Sequence, residues 1–84
     1  MEIAKLIHPD DRRDILNENL IPKAIGVQGN IEMEKLMVYW KTYVEPNLLA
    51  NCNFCYERVH KAWRAIYDDL VNLEKERLML DVIN

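Results

Sequence analysis

The sequence has few of the residues that make tight turns. Among 84 residues there are two glycines, Gly26 and Gly29, and three prolines that lie far apart along the chain. β-Hairpins depend on glycine and similar turn residues, so this scarcity argues against an all-β protein. Half of the residues are hydrophobic and 30% are charged, a composition that is too apolar for intrinsic disorder. We therefore expect a folded, all-α protein.

Long apolar runs and an excess of basic charge are also missing. No 18 apolar residues occur together, and the opening MEIAKLIHPDD lacks the basic and apolar regions of a signal peptide. We expect a protein that is not secreted, has no transmembrane segment and stays in a reducing compartment, where a stable Cys52–Cys55 disulfide is not expected. The net charge of −3 argues against a protein whose main task is to neutralise phosphates.

The spacing of the apolar residues predicts a small three-helix arrangement in a single helical domain, residues 1–84. A short helix 1, an ordered loop, an amphipathic helix 2 and a long C-terminal helix 3 are expected over residues 9–19, 22–30, 31–44 and 52–81. Pro9 and the acids after it are typical of a helix start, and Asn30 is a good N-cap. A helix 2/helix 3 hairpin should form the core. The aromatic residues expected there are Trp40, Tyr43, Phe54 and Trp63.

Helix 3 is too long for the helices before it. At 1.5 Å per residue it extends about 42–45 Å, roughly twice the length of helix 2, and a chain this short buries only roughly 60–65% of its unfolded surface. The second half of helix 3 is therefore expected to bind other protein subunits, in a homo-oligomer or a hetero-assembly. An alternative is a helix that folds back at Asn72 or breaks near Glu74. The predicted partner-binding residues are Leu70, Leu73, Leu78, Leu80, Val82 and Ile83.

Cys52 and Cys55 have the spacing of half a zinc site. Zinc would require two further ligands, and the sequence offers only His8 and His60. On a helix His60 cannot close a site with both cysteines, and a further ligand would have to be His8 from the far N-terminus or a group from another chain. A redox role lacks the βαβ context in which such pairs usually act. The interpretation we favour is that both cysteines are small buried hydrophobes. No metal and no cofactor are expected, and these two residues are the candidates if a metal binds.

The start of helix 3 carries a basic cluster. Arg58, Lys61 and Arg64 are possible nucleic-acid contacts, although a solvated helix face is the usual explanation of such a cluster, and the connector after helix 2 is too long for a helix-turn-helix motif. No Ser-His-Asp set, phosphate-binding glycine loop, HExxH or EF-hand motif is present. We therefore do not expect an enzyme.

The segment from Trp40 to Arg77 carries WKTYVEP, NCNFCYERV and AWRAIYDDLVNLE. It resembles small helical proteins of tailed bacteriophages that infect gut Bacteroidetes, the crAss-like phages among them. The resemblance lies in a tyrosine-rich helix, a short connector and a helix start of the CxxC-x-x-R kind. It implies a virion or packaging component, such as a capsid- or portal-associated auxiliary protein, located in the virion or the host cytoplasm. A small nucleic-acid-binding or regulatory adaptor is the alternative.

Overall fold

The computed structural model describes residues 2–49 and 52–83, with side chains described for 3–49 and 52–80. Within these ranges the chain forms helices and no strand, so the predicted all-α class is confirmed. There are five helices rather than three. They are α1 (Glu2–Leu6), α2 (Pro9–Asn17), α3 (Leu20–Lys23), α4 (Ile31–Tyr43) and α5 (Asn53–Ile83).

Helix α5 is the axis of the molecule. Its 31 residues give a length of about 46 Å, close to the longest dimension of the fold, 45 Å. Each of the four other helices contacts it. Its buried positions recur every three or four residues and so form one face of the helix. They are Tyr56, Val59, Trp63, Ile66 and Leu70, and Cys55 in the first turn is buried as well. The alternative of a reversal at Asn72 or a break near Glu74 is not observed, because α5 continues to Ile83.

Helix α2 begins as the sequence predicts. His8 occupies the N-cap position and its Nδ1 accepts a hydrogen bond from the Asp10 backbone N–H, with Pro9 in the first turn. The helix ends two residues earlier than predicted, just before Asn19, whose φ of 55° is left-handed. Asparagine adopts this conformation more readily than most residues, which explains the sharp change of direction.

Helix α3 occupies the beginning of the predicted 22–30 loop. Pro22 is its third residue, where the missing N–H removes no intrahelical hydrogen bond, so proline is tolerated. Leu20 is buried with its neighbour Ile21 in the core. The rest of the segment is an irregular loop, as predicted. Asn30 closes the loop, since its side chain accepts hydrogen bonds from the Ile25 and Met33 backbone N–H groups.

Helix α1 was not predicted, and it changes what α5 leaves exposed. Ala4 and Ile7 are fully buried, and α1 packs against α5. Leu70 is fully buried in the same core, and Leu73 packs against that core. The prediction that Leu70 and Leu73 lack partners within their own chain is therefore wrong. Five residues are too few for a hydrophobic period to be recognised in the sequence.

Helices α4 and α5 form the expected hairpin. Trp40 and Trp63 meet edge to face, with ring centroids 5.4 Å apart, and the Trp63 Nε1 donates to the Leu36 carbonyl at 3.2 Å. Tyr43 is half-buried against this core, and its hydroxyl is hydrogen bonded to the Asp11 carboxylate. The prediction that Phe54 belongs to this core is wrong, because its side chain is 84% exposed. It lies at the start of α5, off the buried face.

Candidate interaction surfaces

Three surfaces contain the residues that the sequence singled out. We call residues 78–80 the apolar tail. The basic cleft is the depression between the 24–30 loop and α5, and the cysteine pair is Cys52 with Cys55. The tail lies near one end of α5 and the cysteine pair at the other. Val82 and Ile83, also predicted to bind a partner, are outside the described side chains.

The apolar tail begins where the core of the molecule ends. Leu78, Met79 and Leu80 are 50%, 64% and 60% exposed, although they continue the same helix whose Leu70 is fully buried. Successive residues of a helix are 100° apart, so three in a row cover more than half of its circumference. Among the described residues no neighbouring element covers them, and they form an exposed apolar surface.

An ion pair separates the tail from the core. The Arg77 Nε donates to the Glu74 carboxylate at 2.9 Å, and the Glu74 side chain is only 15% exposed. This hydrogen bond holds the pKa of Glu74 below its usual value against the opposing effect of burial, and the charges of Arg77, Arg13 and Arg12 add to the lowering. Helix α2 therefore reaches this level of α5, and the buried face ends in charged groups.

The basic cleft has a volume of about 430 Å³. Its lining comprises Ile25, Gly26, Val27, Glu57, His60, Lys61 and Arg64. Gly26 lies against α5, because a Cβ there would be 3.3 Å from the Glu57 Cα. Burial lowers the pKa of His60, and the nearby Arg64 charge lowers it further, while a hydrogen bond with the Ile21 backbone opposes both. His60 is thus favoured in its neutral form.

The three residues predicted to contact nucleic acid have different surroundings in the structure. Lys61 and Arg64 are exposed in the cleft, and among the described residues neither has an acidic partner within ion-pair distance. Arg58 instead makes two hydrogen bonds to Glu45, of 2.9 and 3.0 Å, and so ties α5 to the segment after α4. The Arg58 hydrogen bonds lower the pKa of Glu45 despite partial burial, with a further contribution from Trp40.

The cysteine pair forms a disulfide, which corrects the expectation of two free thiols. Cys52 and Cys55 are bonded, with Cα atoms 5.1 Å apart. Cys55 is buried, as predicted, whereas Cys52 is only partly so. Among the described residues no group of three or more metal-ligating side chains occurs. His8 caps α2 and His60 lines the basic cleft, so neither histidine completes a site with the cysteines.

An apolar groove that the sequence reading missed lies between α4 and the connector to α5. Its volume is about 160 Å³, and it is lined by Glu34, Met37, Val38, Lys41, Leu48, Leu49 and Tyr56. Tyr56 is nearly fully buried at its base, and its hydroxyl donates to the Glu34 carboxylate at 2.7 Å. In the sequence, the three- and four-residue spacing of Tyr56, Val59 and Trp63 indicates that Tyr56 lies on the buried face of the helix.

Comparison with protein-family models, with curated proteins and with solved structures gave no match. None of the described helices combines the length and the hydropathy needed to cross a bilayer.

Proposed function

We propose that this chain is a non-enzymatic interaction protein that assembles with further copies of itself through the apolar tail. One observation carries the proposal: α5 continues past the Glu74–Arg77 ion pair, and the three residues that follow are apolar and at least half exposed. A contiguous exposed apolar surface of this kind marks a binding site for another molecule.

A second copy is the occupant that the local charges favour. Residues 74–77 are Glu, Lys, Glu and Arg, so the turn before the tail carries no net charge, and Asp81 after the tail adds one negative charge. Two identical tails can therefore approach each other with little of the repulsion that strongly like-charged surfaces suffer. A two-fold contact also buries the same apolar residues on both copies at once. Because an 84-residue chain has a small core, this additional burial stabilises the fold as well.

A charge introduced into the tail tests this proposal. In the L78K/L80K variant, each tail gains two positive charges, and association should be lost with no change in helix content. The matched control, L6K/I31K, adds the same charge at apolar residues that are equally exposed elsewhere. Light scattering should show a mass above the 10.0 kDa of one chain for the native protein and the control. A native protein that stays monomeric, or a tail variant that associates as the native protein does, contradicts the proposal.

The larger assembly we propose is a phage virion, in which the chain is a multi-copy auxiliary protein of the capsid or portal. The support is the resemblance of the Trp40–Arg77 segment to small phage proteins. Mass spectrometry of purified particles of a phage that encodes this chain should detect it in several copies per particle. Its recovery only in the particle-free fraction of infected cells would contradict this assignment.

Nucleic-acid binding through the basic cleft is the second candidate function. The supporting observation is that Lys61 and Arg64 are exposed together, with no acidic ion-pair partner among the residues that the structure describes. We expect salt-sensitive DNA binding that the K61E/R64E variant loses, because phosphate contacts by cations supply such affinity. The K5E/K41E control makes the same change of charge outside the cleft. Equal DNA binding by both variants in fluorescence anisotropy would exclude the cleft as the site.

A further inference from the structure

We propose that the cysteine pair is a thiol–disulfide exchange site in which Cys52 is the sulfur that reacts with an incoming thiol. The proposal goes beyond assembly through the tail and uses the opposite end of α5. It rests on the place of the bond in the fold, on the unequal burial of the two cysteines, and on the hydrogen bond that one sulfur accepts.

The Cys52–Cys55 bond is poorly placed to hold the fold together. The two residues are three positions apart, at the beginning of a single helix. A disulfide stabilises mainly by restricting the unfolded chain, and this effect is smallest for short loops. The four other helices are held to α5 by the buried core rather than by this bond. The bond can therefore open without releasing any element of the structure.

Cys52 stands where a helix favours an electron-rich atom. It directly precedes α5, in the N-cap position, and its Sγ accepts a hydrogen bond of 3.2 Å from the Cys55 backbone N–H. Oxygen side chains fill the same role in ordinary N-caps. The positive end of the helix dipole also stabilises a thiolate at this point. When the bond opens, Cys52 thus has a stabilising environment for its negative charge.

The two sulfurs differ in accessibility. Cys55 is buried in the core cluster, whereas Cys52 is only partly buried at its edge. A thiol from solvent therefore meets Cys52 first, and Cys55 is placed to attack Cys52 from within. Phe54, which lies between them in the sequence, projects into solvent at the same end of α5. An exposed aromatic side chain at this end offers a contact to a substrate cysteine in a peptide segment with apolar flanks.

The exchange proceeds in two balanced steps. A substrate thiolate attacks the Sγ of Cys52, the Cys52–Cys55 bond breaks, and the electron pair leaves on the Sγ of Cys55, which then takes a proton. A second substrate thiolate attacks the substrate sulfur of the mixed disulfide and releases the Cys52 thiolate, which is protonated in turn. Two substrate thiols become one disulfide, and the cysteine pair is reduced to two thiols.

Single-cysteine variants test which sulfur reacts. C55A leaves only Cys52, and C52S leaves only Cys55 while keeping an oxygen at the N-cap position. With glutathione disulfide as the probe, the folded C55A protein should form a mixed disulfide at least ~10-fold faster than folded C52S. The two rates should become similar in denaturant. Equal rates in the folded proteins, or a faster reaction of Cys55, would overturn the assignment.

The native chain tests the exchange itself. Glutathione and a cysteine peptide with apolar flanks should each reduce the disulfide, with the circular dichroism spectrum unchanged. The F54Q variant should slow reduction by the peptide and leave reduction by glutathione unaffected. Unfolding on reduction would make the bond a structural one and would overturn the proposal. An oxidised protein that resists both thiols would overturn it as well.

Discussion

Tyr56 connects the two helices of the hairpin, α4 and α5, through a single side chain. Its ring is buried on α5, and its hydroxyl donates to both oxygens of the Glu34 carboxylate on α4, at 2.7 and 2.9 Å. A buried aromatic residue with a satisfied hydroxyl contributes both apolar area and orientation. The sequence pattern favoured Phe54 as the core residue instead. Near the first turn of a helix, apolar spacing identifies the buried face less surely, because no earlier turn of the helix shows which positions are buried.

The Y56F variant should be less stable than the native protein by about 1.5–3 kcal/mol at neutral pH, since a hydrogen bond to a charged group is lost. The hydrogen bond to Glu34, with burial and the Glu34 charge, raises the pKa of Tyr56. Its contribution is therefore complete below the ordinary tyrosine pKa and disappears as pH rises through the raised value. Denaturant titrations at several alkaline pH values should show the two proteins converging. A constant difference would contradict the hydrogen bond.

Glu74 makes the corresponding contact at the far end of the core. E74Q should lower the free energy of unfolding by about 1–3 kcal/mol, because it removes the charge that faces Arg77 in a mostly buried site. The lowered pKa of Glu74 means that its contribution is present above the ordinary glutamate value and is lost as pH falls through the folded value. Denaturation at neutral and acid pH measures both effects. E76Q, at an exposed neighbour, is the control and should change little.

At the scale of elements, α5 consists of a covered part and a bare part. The covered part includes Leu70, which is buried, and Leu73, which packs against the core, and the bare part begins at Leu78. The boundary lies farther along the helix than the sequence suggested. One reason is that α1, which packs against α5, has only five residues and is too short to show a period.

Alanine substitutions at Leu70 and at Leu78 should change the stability by different amounts, because Leu70 lies in the covered part of α5 and Leu78 in the bare part. L70A removes a fully buried side chain and should cost about 2–5 kcal/mol of unfolding free energy. L78A truncates a half-exposed side chain and should change the stability of the monomer by less than about 0.5 kcal/mol. Chemical denaturation at low protein concentration measures both. Similar losses for the two variants would mean that the tail packs within its own chain.

The longer elements were predictable from the sequence. Helix α4 matches its predicted range to within one residue, and α5 matches its range to within two, because both have a sustained apolar face and Asn30 caps α4. The disulfide was not expected, since the argument against it came from the cell compartment and not from geometry. The basic cleft was not foreseen as a cleft either, because its other wall is the 24–30 loop, whose path depends on Gly26 and on contacts far along the chain.

The whole molecule is a rod of 45 × 23 × 18 Å with different chemistry at its two ends. One end presents the cysteine pair and the exposed Phe54, and the other presents the apolar tail. The middle is closed by a core that draws on all five helices. If both proposals hold, one end is free for thiol exchange while the other is occupied in an assembly. Of the two, we propose first that the tail belongs to an interface between copies.

Sedimentation equilibrium of the intact chain, beside a form that ends at Arg77, tests that claim most directly. We expect the mass of the intact chain to rise above 10.0 kDa as its concentration increases. The shortened form should stay monomeric and keep its core, since the ion pair that ends the core is retained. A single-chain mass for the intact protein at every concentration, or equal association of both forms, would contradict the account.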